Sequence, residues 1–474
     1  MDEMKQQALA YLDEHRAELV DLARVIWENP EIGLHEFFAV DAVCKVLEKN
    51  GFVVQKGVGA LPTACIGSWG SGAPVIGVLG EYDALPGISQ KVSAVKEAII
   101  EGAPGHGCGH NLFAGGSLGA AMAMKAVMQA HNLPGTVRFY GCPAEETLVG
   151  KVVMAREGVF DDLDAAIVWH PGSVNSPGGM TSSLALNSFK VNFHGISTHA
   201  AASPHMGRSA LKGVQLMDIG VSYLREHLEP DARVHCVITR GGEAPNVVPA
   251  YAQVWYYIRA PFRYQVEAIY ARVMDIAKGA ALMSGTTNDV EFLNGCYETL
   301  PNMPLSDAMM AEMQALGGPK FTAEDYAFAR ELTATVPPET QEAAYRGLIA
   351  GSGKGITRAD IGEYLSEAII PPIETYTPMA GSTDVGDVSQ ITPTASLSTA
   401  CQPITAPPHG WQLVAASNSN IGFTGMMYAA QVLALTGIEL LTNPDLRKAA
   451  REYYETASAG RVYQSPLAEG SFRK

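Results

Sequence analysis

A chain of 474 residues exceeds what one hydrophobic core usually serves, so two domains are expected. Apolar residues make up 47% and charged ones 17%, with 48 Gly and 28 Pro, a globular profile that excludes disordered and fibrous classes. The formal charge of -16 argues against nucleic acid and against an anionic membrane surface as partners, because both need clustered Lys and Arg to neutralise phosphate.

In chain order, the acidic N-terminal stretch reads as a surface helix over about 2–28, without a signal-peptide pattern, followed by a helix over about 36–50. The apolar run VIGVLGEYD (75–83) is a strand ending in polar residues. A Gly-rich loop then leads to a helix over 118–130, and the strands TVRFYGCP (136–143) and DAAIVWHP (164–171) also run into polar residues. This is an α/β rhythm, and in open α/β sheets sites collect at the carboxyl ends of the strands. From about residue 186 the pattern changes to alternating strands, SFKVNFHG (188–195) and AQVWYYIRA (252–260), around a helix near 207–227, as in an inserted α+β domain. The expected division is 1–185 with 297–474 for one domain and 186–296 for the insert. The stretch 424–436 is expected to pack as a helix on the first sheet, and no uncharged run is expected to reach the length that spans a bilayer. Seven Cys, an odd number without framework spacing, point to free thiols in a reducing compartment, with the cytoplasm as the expected location.

Four signals carry chemistry. In Gly105-His106-Gly107-Cys108-Gly109-His110, a Cys and a His two apart between glycines suit a metal loop or a redox loop. Glu145 and Glu146 follow an apolar strand that would deliver both into a cleft, where one carboxylate can stay ionised against a cation while the other shuttles protons. His170 ends the next strand and His409 lies in the loop Pro407-Pro408-His409-Gly410. Each of these could singly be a solvated loop residue. Together, thiol, imidazoles and carboxylate form the set that binds Zn or Mn.

The motifs GEYDALPG (80–87), GHGCGH (105–110), EE (145–146), WHP (169–171), GISTHAA (195–201), NVVP (246–249), GSTDVGDVS (381–389) and PPHGW (407–411) occur in the order of a known family. The chain resembles the aminoacylase and carboxypeptidase G group of dinuclear metallopeptidases, in its amidohydrolase branch, from WENPEIGLHEF (27–37) onward. The resemblance implies a catalytic domain with a mixed sheet flanked by helices, and an inserted dimerisation domain. It implies two divalent metal ions, Mn or Zn, held by Cys108 as bridging thiolate with His110, Glu146, His170 and His409, and Glu145 as general base. His199 would stabilise the oxyanion in a partner subunit's site, and Asn246 and Arg259 would grip the substrate carboxylate. Two positions depart from the family pattern. Glu81 stands where a ligand His is usual, so it is set aside as a ligand, and Asn111 replaces an Asp; Asp83 is expected to orient the ligand loop.

The expected reaction is hydrolysis of an N-acyl amino acid, p-aminobenzoyl-glutamate foremost, with indole-acetyl-aspartate or hippurate types as alternatives. The expected assembly is a homodimer or a heteromer with a related A-type subunit. A non-catalytic metal-dependent binder and a thiol redox protein are the competing classes, the latter without any CxxC pair.

Overall fold

The computed structural model describes residues 2–468 and divides them into two compact units. Among the described residues the first comprises 2–182, 300–379 and 387–468, and the second 183–299 and 380–386. The segment 380–386 thus counts with the second unit, whereas the sequence pattern places it in the first.

The first unit is built on a seven-stranded mixed sheet. Its N-terminal helices are α1 (Glu3–Glu14), α2 (Arg16–Glu28) and α3 (Phe37–Lys49). The single helix expected over 2–28 is therefore two, broken at His15. The strands β1 (Val53–Lys56), β2 (Cys65–Ser71) and β3 (Val75–Glu81) precede α4 (His110–His131). After it come β4 (Gly135–Cys142), α5 (Gly150–Arg156) and β5 (Ala165–Gly172). The sheet order is β1-β2-β4-β3-β5, continued by the strands Thr394–Ala400 and Ser176–Pro177. β4, β3, β5 and Thr394–Ala400 run parallel, so the loops that follow β3, β4 and β5 emerge at one edge of the sheet. The parallel strands are buried on both faces, which is why they read as continuous apolar runs.

Helix α4 begins eight residues before the expected position 118, directly at His110. The glycines that discourage a helix on propensity are here packing devices. At Gly116 a Cβ would lie 2.7 Å from the Trp169 ring, and at Gly119 2.7 Å from Leu19. Close approach of neighbouring side chains outweighs the roughly 1 kcal/mol intrinsic penalty of a helical Gly. Against α4 packs the helix Asn420–Thr442. It is long and apolar enough to cross a membrane by length and composition, which corrects the expectation that no such segment exists. Its most apolar window is 89% buried within the protein, as in a core helix of a globular protein.

The second unit is a four-stranded antiparallel sheet, in the order Thr287–Cys296, Ala185–His194, Tyr251–Ala260, Arg233–Arg240. The helices Ala210–Leu224 and Arg263–Ser284 supply its core with Val214, Met217, Val266 and Val273 against Phe189, Val191, Val254 and Tyr256.

Gly116→Ala should destabilise the first unit by about 1–3 kcal/mol, because the fully buried Trp169 cannot yield to the added carbon. Thermal unfolding followed by near-ultraviolet circular dichroism checks this; an unchanged midpoint would show that the α4–Trp169 contact is slack.

Candidate metal centre

The loops after β3 and β4 and the start of α4 meet around His110. Its Nδ1 lies 2.9 Å from Asp83 Oδ1 and 3.1 Å from the Asp83 carbonyl oxygen. Both partners are acceptors, so Nδ1 carries a proton and Nε2 is the ring nitrogen left facing the other donors. The other Asp83 oxygen accepts from the Glu146 N–H at 2.9 Å. One carboxylate therefore fixes a ring and a neighbouring loop together. His110 charges far more readily than a free imidazole: burial opposes this, and the Cys108 and Asp83 charges outweigh burial.

The other donors converge on Cys108. Its Sγ lies 3.4 Å from His170 Nε2, while His170 Nδ1 donates to the Pro171 carbonyl at 2.7 Å, again leaving Nε2 as the free donor atom. His409 Nε2 is 3.9 Å from Glu146 Oε2. Two triads result, Cys108/His110/His170 and Cys108/Glu146/His409, each with ligand atoms within 4.8 Å of one another, and they share the sulfur of Cys108. Gly109, at φ +77, makes this loop possible, since a Cβ there would sit 3.0 Å from Pro171. Burial pushes the Cys108 thiol up to about 12, so at neutral pH it needs a cation beside it to become a thiolate.

A third group, Glu81, His110 and Glu145, lies on the deep side. Glu145 is 8% exposed, with Oε2 3.9 Å from His110 Nε2. Glu81 Oε2 is 3.2 Å from the same nitrogen, and its other oxygen is 2.5 Å from Lys151 Nζ, both side chains being buried. Sequence reasoning missed Lys151 and set Glu81 aside. The available signal was a single lysine among the apolar residues Val152, Val153 and Met154 at the start of α5, since a lysine fully buried in a core is almost always paired. That ammonium engages Glu81, and the two triads do not include it.

The donor types fit a pair of divalent ions. Thiolate, imidazole and carboxylate together suit transition metals, and His110 Nε2 and Glu146 Oε1 are buried without a hydrogen-bond partner among the described residues.

His199, Asn246 and Arg259 belong to the second unit. His199 Nδ1 accepts from the N–H groups of Ala201 and Ala202 at 3.2 and 3.1 Å, so its proton sits on Nε2 of an exposed ring. The Asn246 carbonyl accepts from Ala200 N–H at 2.9 Å, tying these two loops together. Arg259 stacks over Tyr257 at 5.6 Å and reaches the Ala380 carbonyl at 3.4 Å, while its Nε has no hydrogen-bond partner among the described residues.

The sequence profile of Peptidase family M20/M25/M40 matches residues 77–409. The chain is 40% identical over 463 residues to the B-type subunit of p-aminobenzoyl-glutamate hydrolase of Escherichia coli, covering 96% of each chain. It is 32% identical to Xaa-Arg dipeptidase of Mus musculus, over 68% of this chain and 73% of that one. Among solved structures it shares the fold of the YXEP protein of Bacillus subtilis, described as a dinuclear metal-binding peptidase, with a TM-score of 0.54, 16% identity, and coverage of 89% and 98%. With the profile spanning more than half of the chain, and with a relative this similar along its whole length, the protein is an enzyme that belongs to Peptidase family M20/M25/M40.

Proposed function

We propose that this enzyme is a two-metal amidohydrolase that cleaves an N-acyl amino acid, p-aminobenzoyl-glutamate foremost, to the free acid and the amino acid. The observation that carries the chemistry is the pair of donor triads sharing Cys108, with the carboxylate of Glu145 beside them. The substrate follows from the similarity to the B-type chain of p-aminobenzoyl-glutamate hydrolase. Indole-3-acetyl-aspartic acid hydrolase of Enterobacter agglomerans, 27% identical over 42% of this chain, marks a competing acyl group.

Cys108, His110 and His170 would hold one ion, and Cys108, Glu146 and His409 the other. Ions held there would supply an acidified water and Lewis-acid polarisation of the scissile carbonyl. Glu145 accepts the proton of the attacking water and hands it to the leaving nitrogen, general acid–base work that contributes about 10² to 10⁴ in rate. In the second unit, Arg259 offers an unsatisfied guanidinium N–H, and the planar fork suits a carboxylate. The exposed Nε2–H of His199 is a donor for a developing oxyanion. We further propose assembly through the second unit, as a homodimer or with an A-type partner, and a cytoplasmic location. A relative at 25% identity, of Haemophilus influenzae, is a homolog of the A-type chain of p-aminobenzoyl-glutamate hydrolase.

The deciding experiment is turnover with product identification on a panel that varies the acyl group and the amino acid separately, with metal content measured alongside. Glu145→Gln should retain two ions per protomer and lose at least about 100-fold in kcat. Activity within about tenfold of the parent would remove Glu145 from the base role, and metal without hydrolysis of any amide would make the protein a binder.

Arg259→Ala should cost about 10- to 150-fold in kcat/KM on an N-acyl glutamate and little on its α-amide, as expected for one buried charge-assisted pair. Equal losses on both substrates would assign Arg259 to the sheet alone.

A pH effect follows from Glu146. Burial, then the charges of Asp83 and Glu81, push its carboxyl from the usual 4.5 to about 7, against the pull of His110. A folded-state value above the unfolded one gives stability that is present below pH 4.5 and lost as pH rises through about 7. Protein stripped of metal with a chelator should therefore lose on the order of 3 kcal/mol between pH 4.5 and 8 relative to Glu146→Gln. Parallel urea-unfolding curves for the two proteins across that range would contradict the assignment.

A further inference from the structure

Glu36 takes no part in the scheme above, yet its side chain is completely buried at the N-terminal edge of α3. Its Oε1 accepts from the N–H of Ala144 at 2.8 Å. Ala144 has φ +56, a left-handed conformation that an L-residue with a Cβ adopts only where its surroundings hold it there. It is also the residue immediately before Glu145.

The segment carrying Glu36 is itself fixed. The Glu31 carboxylate accepts from the N–H groups of Phe38 and Ala39, and the Glu31 carbonyl accepts from Ala84 N–H at 2.8 Å, beside Asp83. Gly33 abuts the turn from the same side: a Cβ there would stand 3.1 Å from Ala144 Cα and 3.2 Å from its Cβ. Residues 31–36 thus form a brace bound both to the loop after β3 and to the loop after β4. Glu146 has a separate anchor, through its N–H on Asp83 Oδ2.

We propose that Glu36 is a positioning residue for Glu145: its buried carboxyl group holds Ala144 N–H, and with it the left-handed turn that aims Glu145 into the metal centre. A buried hydrogen bond from a backbone N–H to a carboxyl oxygen is directional, so it fixes the turn's orientation as well as its presence. Helix capping alone does not explain the acid, because Glu31 already engages the first N–H groups of α3 and Glu36 makes no side-chain cap.

The inference rests on the reading of Glu145 as base, and the test separates the two. Metal-loaded full-length Glu36→Ala, Glu36→Gln, Gly33→Ala and Glu145→Gln are compared for kcat, KM, metal content and thermal midpoint. Misplacing a reacting group by about 1 Å can cost on the order of 100-fold, so Glu36→Ala should lose about 10- to 100-fold in kcat, with KM within about threefold and both ions kept. Glu36→Gln retains a carbonyl oxygen for Ala144 N–H and should recover kcat to within about threefold of the parent. Gly33→Ala presses on the same turn without touching Glu36 and should lower kcat by about tenfold. It decides the matter if Glu36→Ala does not fold, an unchanged kcat overturning the proposal. An active Glu36→Ala beside an inactive Glu145→Gln overturns the proposal alone, as does a Glu36→Ala that loses its ions in step with kcat. An active Glu145→Gln overturns the base reading beneath it.

Discussion

The interaction on which the rest of the site depends is the division of one carboxylate, Asp83, between the ring of His110 and the backbone of Glu146. It ties the end of β3, the first turn of α4 and the loop after β4 into one rigid junction. The energetic logic is that of any buried acid, since a carboxylate out of water is tolerable only when its lone pairs are occupied. Here a charged ring and an N–H oppose the cost of burial, and Asp83 stays below the ordinary carboxylate range. Because the Nδ1 proton is committed to Asp83, Nε2 is the ring nitrogen left for a cation. Metal affinity in such sites is sensitive to partners of this kind.

A second layer of charge surrounds this junction. Glu81 and Lys151 form an ion pair with both side chains buried, an arrangement whose desolvation cost usually cancels its attraction. Its value is local. The ammonium offsets one of several acids crowded near His110, and so moderates repulsion among Glu81, Asp83 and Glu146. The protein therefore carries a fixed cation of its own on the deep side of a cleft whose open side displays the sulfur, two imidazoles and a carboxylate.

Much of this was legible in the sequence because the chemistry sits at the ends of strongly patterned elements. The apolar runs before Asp83, Glu145 and His170 announce strands, and the parallel order of those strands puts their ends on one edge. The motif order points to the family, which the profile match bears out. What was not legible depends on tertiary packing. Nothing local says that Gly115-Gly116 lie inside a helix, since only the fit against Met426 and Trp169 makes them favourable there. Nor does sequence spacing reveal that Glu36 meets Ala144 across 108 positions, or that Ala380–Gly386 belongs with the second unit. The break at His15 is similarly invisible, since Glu14, His15 and Arg16 carry no Gly or Pro to signal it.

Left-handed backbone at Ala144, Leu148 and His409 concentrates conformational strain in the two loops that frame the cleft. Each such residue costs about 1–2 kcal/mol, which glycine would not incur. At His409 the least strained backbone and the imidazole proposed as a ligand therefore pull in opposite directions, and replacement by glycine or asparagine would relieve the strain while removing that donor.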